Sequence, residues 1–182
     1  GGRPFGSDKS LESYEDLAEQ ARTNAGFRSV LMIPPLMHGA AQWAAFNMIS
    51  TGGWIALPDD VDHLNAPSVM RLAERQRVLS IPVVGDAIAR PLLDEIETGK
   101  YDLSGLVTIT NGGAPLSPTV RERLLATLPN LMVLDAVGAS ETGMQMTTMA
   151  AKGVESKAAT FTPQHDTAVI SADFSHVLLP GD

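Results

Sequence analysis

The chain contains no cysteine. That alone excludes disulfides, thiolate metal sites and cysteine nucleophiles, and a reducing cytoplasmic setting is the expected one. Positive charge is also scarce: 13 Lys and Arg face 21 Asp and Glu, for a net charge of −8. Nucleic acid is therefore not an expected partner, because phosphate backbones are held by clustered lysine and arginine. No apolar run approaches the ~20 residues that a membrane-spanning helix needs, so no transmembrane segment is expected. The N-terminal stretch is polar and charged, unlike a secretory signal. His63, His165 and His176 lack metal-ligand spacing and carry no assignment.

What is present is an ordinary globular composition. Of 182 residues, 44% are apolar, which suffices for one sizeable core. The chain opens on Gly1-Gly2-Arg3-Pro4 and closes on Leu179-Pro180-Gly181-Asp182. Both ends read as cuts in something longer.

Between them, apolar runs alternate with helical periodicity. A charged surface helix is predicted at 11–24, then a buried strand at 29–33, closed by Pro34-Pro35. Small and apolar residues at 38–50 follow helical spacing, and Gly52-Gly53 stops them. A strand at 54–57 follows. Asn65 as N-cap and Pro67 in the first turn predict a helix at 66–76, with Val69, Leu72 and Ala73 inward. Residues 78–84 read as a strand containing Pro82. Asp86 is expected to cap a helix running to about residue 98, with Pro91 inside it. Strands are predicted at 106–110 and 131–135. The helix between them starts at Ser117-Pro118 and lines one face with Val120, Leu124 and Leu128. Such alternation implies an α/β fold in three layers, a mainly parallel sheet with helices on both faces. Residues 167–171 and 176–179 then read as a short β-hairpin. The expected division is an α/β subdomain over 1–160 and the start of a β-rich subdomain over 161–182.

Two glycine-bearing loops follow predicted strands. One is Asn111-Gly112-Gly113-Ala114-Pro115-Leu116; the other is Gly138-Ala139-Ser140-Glu141-Thr142-Gly143. Ligands of parallel α/β sheets bind at the carboxyl ends of strands. If the two loops are neighbours, they form one cleft offering close backbone approach, a hydroxyl and a carboxylate. That set suits a nucleotide with a metal-bound phosphate.

At these residues the chain resembles the adenylate-forming (AMP-binding) superfamily of acyl-CoA synthetases, luciferases and peptide-synthetase adenylation domains. Pro34-Pro35-Leu36-Met37-His38-Gly39 resembles the family's Pro-x-x-His segment. Residues 100–106 resemble its Tyr-Asp-Leu-Ser-x-Leu lead-in. Residues 111–116 resemble the Ser-Gly-Gly-Ala-Pro-Leu adenine loop, and residues 136–142 the Tyr-Gly-x-Thr-Glu loop. The resemblance covers roughly residues 29–145. It implies activation of a carboxylic acid by ATP to an acyl-adenylate, then transfer to coenzyme A, with Mg²⁺ on the phosphates. It places Glu141 as the metal carboxylate and Ser140 as the phosphate hydroxyl. Gly112, Gly113, Ala114, Pro115, Asp135, Ala136, Val137 and Gly138 fall on the nucleotide side, and His38, Gly39 and Trp43 on the acyl side. Residues 84–87 and 138–143 are most similar to bacterial fatty-acid or sterol-side-chain ligases.

The chain departs from the pattern at Val137, where the family carries an aromatic, and at Ser140, where threonine is commoner. The family's phosphate loop, its Thr-Gly-Asp ribose motif and its adenylation lysine are not among these residues. The chain is accordingly expected to be an internal piece of the large domain, inactive alone. Met144, Met146 and Met149 read as packing, and Asp86, Asp94, Glu95 and Glu97 as a cap and a solvated face rather than a metal cluster. Two other readings stay open: a non-catalytic nucleotide- or acyl-binding module using the same loops, and a serine esterase built on Ser140, Asp166 and His176.

Overall fold

Short β-branched runs between helices build one sheet. The computed structural model describes residues 13–153, 160–164 and 167–178. In chain order the elements are α1 (Tyr14–Thr23), β1 (Ser29–Leu31), α2 (Gly39–Ser50), β2 (Trp54–Ala56), α3 (Ala66–Gln76), β3 (Ser80–Val83) and α4 (Gly85–Ile96). Then come β4 (Thr108–Gly112), α5 (Pro118–Thr127), β5 (Met132–Ala139), β6 (Gly143–Ala151) and β7 (Thr162–Pro163). The seven strands lie in the order β2-β1-β3-β4-β5-β6-β7. The first five are parallel; β6 pairs antiparallel with β5, and β7 with β6.

Two apolar clusters sandwich the sheet. Leu31, Ile81, Val83, Ile109 and Val133 point to one face, where α3, α4 and α5 cover them. On the other face, Val30 and Met32 meet Ala41 and Ala45 of α2. The three-layer expectation holds, with an uneven second layer. On that second side, Thr108, Thr110, Met132 and Leu134 remain half-buried, while the intervening Ile109 and Val133 are fully covered.

Local signals set most helix starts. The Asn65 side chain accepts from the Ser68 N–H at 3.0 Å, and α3 has the bounds predicted for it. Ser13 and Asp16 close a capping box on α1. Ser117 caps α5, which buries Val120 and Leu124. Pro91 lies within α4 on its exposed side, above an equally exposed Ala87. The carbonyl freed by the missing N–H is therefore left to water, so the helix continues. Pro82 sits inside β3, where it has no N–H to give. The ladder from β3 to β1 is confined to Ser80 with Val30, so no bond is missed there.

Three differences from the sequence reading stand out. Asp86 does not cap α4, whose N-cap is Val84 with no side-chain bond. Its Oδ1 instead accepts from the Ser117 N–H at 2.8 Å, at the start of α5. Second, residues 143–151 form a full strand that the methionines had hidden. Third, the C-terminal hairpin consists of one bridge, Ile170 with Val177, and a tight turn. In that turn the Ser171 and Ser175 hydroxyls hold the Asp173 carboxyl down at about 2. Leu179 lies outside the described residues.

Candidate functional site

β4 and β5 run side by side in the same direction, with Gly112 opposite Ala136. Their carboxyl ends therefore open on one rim, as the shared cleft requires. Beyond Gly112 the chain turns through Gly113 at a φ of 78°, a region that favours glycine. Gly113 and Pro115 are exposed. The loop rests on the β3–α4 turn: a Cβ on Gly85 would meet the Ala114 Cβ at 2.7 Å and the Pro115 carbonyl oxygen at 2.8 Å. The Asp86 N–H donates to that Pro115 carbonyl at 3.3 Å.

β5 does not end at a helix. It continues to Ala139 and folds back as β6 through Ser140, Glu141 and Thr142. The Thr142 N–H donates to the Ala139 carbonyl at 3.2 Å, and Gly143 follows at a φ of 72°. This is a type of short hairpin loop in which a glycine in the left-handed region closes a turn. Ser140 and Glu141 thus stand exposed at the tip of a tight turn, with backbone held on both sides. A register shift falls between Val137 and Gly138, and a Cβ on Gly138 would lie 2.2 Å from the Gly143 carbonyl oxygen. Only glycine lets the two strands approach so closely.

The third contributor is the start of α2. His38 holds its N-cap position with an exposed side chain and no capping bond. A Cβ on Gly39 would lie 2.6 Å from the Ser140 Oγ, so the hairpin tip sits directly against the helix start. Trp43, one turn on, is 57% exposed and belongs to neither core cluster. The structure thus brings Gly39 and Ser140 into contact, with His38 beside them, and Gly112 beside Ala136.

Beneath the rim lies a buried polar network. The Asn111 Oδ1 accepts from the Gly85 N–H at 2.7 Å. Its Nδ2 donates to the Ala114 carbonyl at 3.0 Å and to the Asp135 Oδ1 at 2.8 Å. The Asp135 Oδ2 pairs with the Arg121 guanidinium of α5. Asp135 is therefore committed to this network, on the α5 side of the sheet. The sequence reading took Asn111 only as the first residue of the glycine loop and assigned Arg121 nothing. One available signal was an asparagine ending a strand immediately before Gly-Gly. Asp86 is held below the ordinary value of 3.8, first by the Ser117 N–H and also by Arg90.

A family model described as AMP-binding enzyme matches residues 10–175. The chain belongs to that family. Over 181 residues it is 43% identical to a medium-chain acyl-CoA ligase, Mig, of Mycobacterium avium, covering 100% of this chain and 32% of that protein. It is 36% identical over 160 residues to 3-oxocholest-4-en-26-oate--CoA ligase of Rhodococcus rhodochrous, covering 84% of this chain and 28% of the relative. The chain spans about a third of the length of these relatives. Among solved structures, the luciferase-like enzyme of the mealworm Zophobas morio superposes with a TM-score of 0.71 at 16% identity, over 91% of this chain and 40% of that one. That likeness concerns the fold.

The two glycine-bearing loops open on one rim of the sheet. The esterase alternative does not assemble. A nucleophile elbow is a strand-to-helix turn, whereas Ser140 lies between two strands. The His176 Nδ1 faces the neighbouring Ser175 Oγ at 2.9 Å. Asp166 and His165 lie outside the described residues. Among the described residues no three acidic, histidine or cysteine side chains gather as a metal cage, and no helix is long and apolar enough to cross a membrane. Asp94 and Glu97 are bridged by Arg123 of α5, and the Tyr101 hydroxyl donates to Glu95 at 2.5 Å. These acids tie surface elements together.

Proposed function

We propose that this chain is the nucleotide-facing part of an ATP-dependent acyl-CoA synthetase. The observation that carries the reading is the shared rim: the loop after β4 and the β5–β6 tip open at the same end of neighbouring parallel strands, and the tip rests against the start of α2. The ligase names of relatives at 43% and 36% identity support it. A medium-chain fatty acid or a sterol side-chain acid is the substrate class those names suggest. A cytoplasmic setting goes with it.

In this reading, Gly112, Gly113, Ala114 and Pro115 border the adenine from one side, and Ala136, Val137 and Gly138 from the other. Val137 offers an aliphatic face, with no aromatic for stacking. The Ser140 hydroxyl donates to a phosphate oxygen. Glu141 suits Mg²⁺, which binds through one or two carboxylates and completes its shell with water and substrate phosphate. A single exposed carboxylate beside a phosphate site fits that donor set. When bound, the ion would disperse charge on the phosphate oxygens. A carboxylate oxygen of the acid attacks the α-phosphorus, the bond to the bridging oxygen breaks, and pyrophosphate leaves with the electron pair. Coenzyme A then gives up its thiol proton, its sulfur attacks the acyl carbon, and AMP departs. His38, Gly39 and Trp43 would border the acyl group, whose length is read by burial at roughly 0.8 kcal/mol per methylene.

The test is Glu141→Gln in the full-length enzyme that contains this chain. ATP–pyrophosphate exchange should fall by about a hundredfold or more, the scale of a lost metal contact. Acid binding, followed by calorimetry, should change little. Exchange at the wild-type rate would remove Glu141 from the chemistry, and a wild-type enzyme without exchange would remove the reading.

A further inference from the structure

Asn111 reaches three separate stretches of chain at the base of the glycine loop. It is 6% exposed, and its amide bonds the Gly85 N–H, the Ala114 carbonyl and the Asp135 carboxylate. These partners belong to the start of α4, to the loop itself and to β5. The Arg121–Asp135 pair extends the chain of contacts to α5. An amide carries donors and acceptors on one rigid plane and can serve all three at once. The serine of the resembled motif has one O–H and could donate to one of them.

The Ala114 bond is the one that bears on the loop's shape. It joins residues three apart across the turn at Gly112 and Gly113, and so sets how far their backbone stands above the sheet. The other two bonds anchor the amide to the start of α4, on which the loop rests, and to β5. We infer that Asn111 is a positioning residue for ATP: through the Ala114 carbonyl it holds the loop at the height at which the nucleotide meets it. The inference rests on the synthetase reading.

A swap separates this from plain stabilisation. Asn111→Asp alone sets two carboxylates side by side and should lower the melting temperature. Asn111→Asp with Asp135→Asn restores the acceptor for Gly85, the bond between positions 111 and 135 and an acceptor for Arg121. It leaves the Ala114 carbonyl without a donor. In the full-length enzyme, the double variant should recover most of the lost melting temperature. Its KM for ATP should stay about tenfold high, the scale of one buried hydrogen bond. Its KM for the acid should remain within about twofold, as expected when only nucleotide positioning is lost. An ATP KM that recovers with the melting temperature, or an acid KM that rises equally, would overturn the inference. Should the double variant not fold, Asn111→Ala, which offers the Ala114 carbonyl no donor, must show the same ATP-selective rise, and an unmoved ATP KM there overturns it equally. Wild-type enzyme without ATP–pyrophosphate exchange would bring down the synthetase reading and this inference together. Normal exchange with unmoved variants would bring down this inference alone.

Discussion

Asp86 shows how one carboxylate can serve an element other than its own. It sits in the first turn of α4, yet its oxygens accept from the Ser117 N–H and from Arg90. Hydrogen bonds to the ionised form favour it, so the native carboxyl titrates below its ordinary value of 3.8. The stabilisation is fully present above pH 3.8 and disappears as pH falls through the lower native value. Asp86→Asn should therefore unfold at a lower temperature than wild type at pH 7. The difference should shrink in acid, and thermal scans at pH 7 and pH 3 would measure it. A constant gap across that range would mean that the charge contributes nothing. A linear reading finds an aspartate before a helix and predicts a cap. It does not find the partner, which lies 31 positions away. Asn111 was opaque for the same reason: two of its three bonds are 24 and 26 positions distant. Arg121 drew no notice in the sequence, because its burial against Asp135, with the side chain only 12% exposed, is set by a partner on another element.

At the scale of elements, legibility followed how local the cause was. The bounds of α3 are set by Asn65 and Pro67 at one end and the end of the apolar stripe at the other, all within a dozen residues. β6 has no such local cause. Its methionines and glutamine are good helix formers, and only the two threonines favour a strand. It is a strand because β5 offers it an unpaired edge, a fact about a neighbour. The hairpin between them reads in the sequence only as a loop after a strand, though its residues are already the ones singled out. Its geometry makes Gly138 sensitive. Gly138→Ala sets a Cβ 2.2 Å from the Gly143 carbonyl oxygen, so the backbone of the tip must move. The expected cost is ~1–3 kcal/mol of stability. Faster hydrogen exchange at residues 140–142 should accompany it, together with impaired ATP–pyrophosphate exchange in the full-length enzyme. An alanine variant with unchanged exchange at those amides would show that the strands can yield without cost.

At the scale of the whole molecule, the structure meets the condition on which the shared rim depended. The mainly parallel sheet was legible, because alternation and right-handed crossovers leave few alternatives. The unequal layers were not. α2 covers β1 and β2, while the same side of β4 and β5 stays half-open, and Trp43, Phe46 and Ile49 of α2 are each more than half exposed. The chain is about a third of its relatives' length. Alone, it should bind no acid productively and give no ATP–pyrophosphate exchange, whereas the full-length enzyme should; exchange by the isolated chain would contradict this. The contact of Gly39 with Ser140 also bears on how the molecule assembles. Every parallel strand after the first is laid down between those two positions. Closing so long a span carries a chain-entropy cost that local turns avoid. The serine tip meets the helix start only once β2, β3, β4 and β5 have been laid between them. The contact is then expected to form late in refolding, which pulse-labelled hydrogen exchange at residues 140–142 would check.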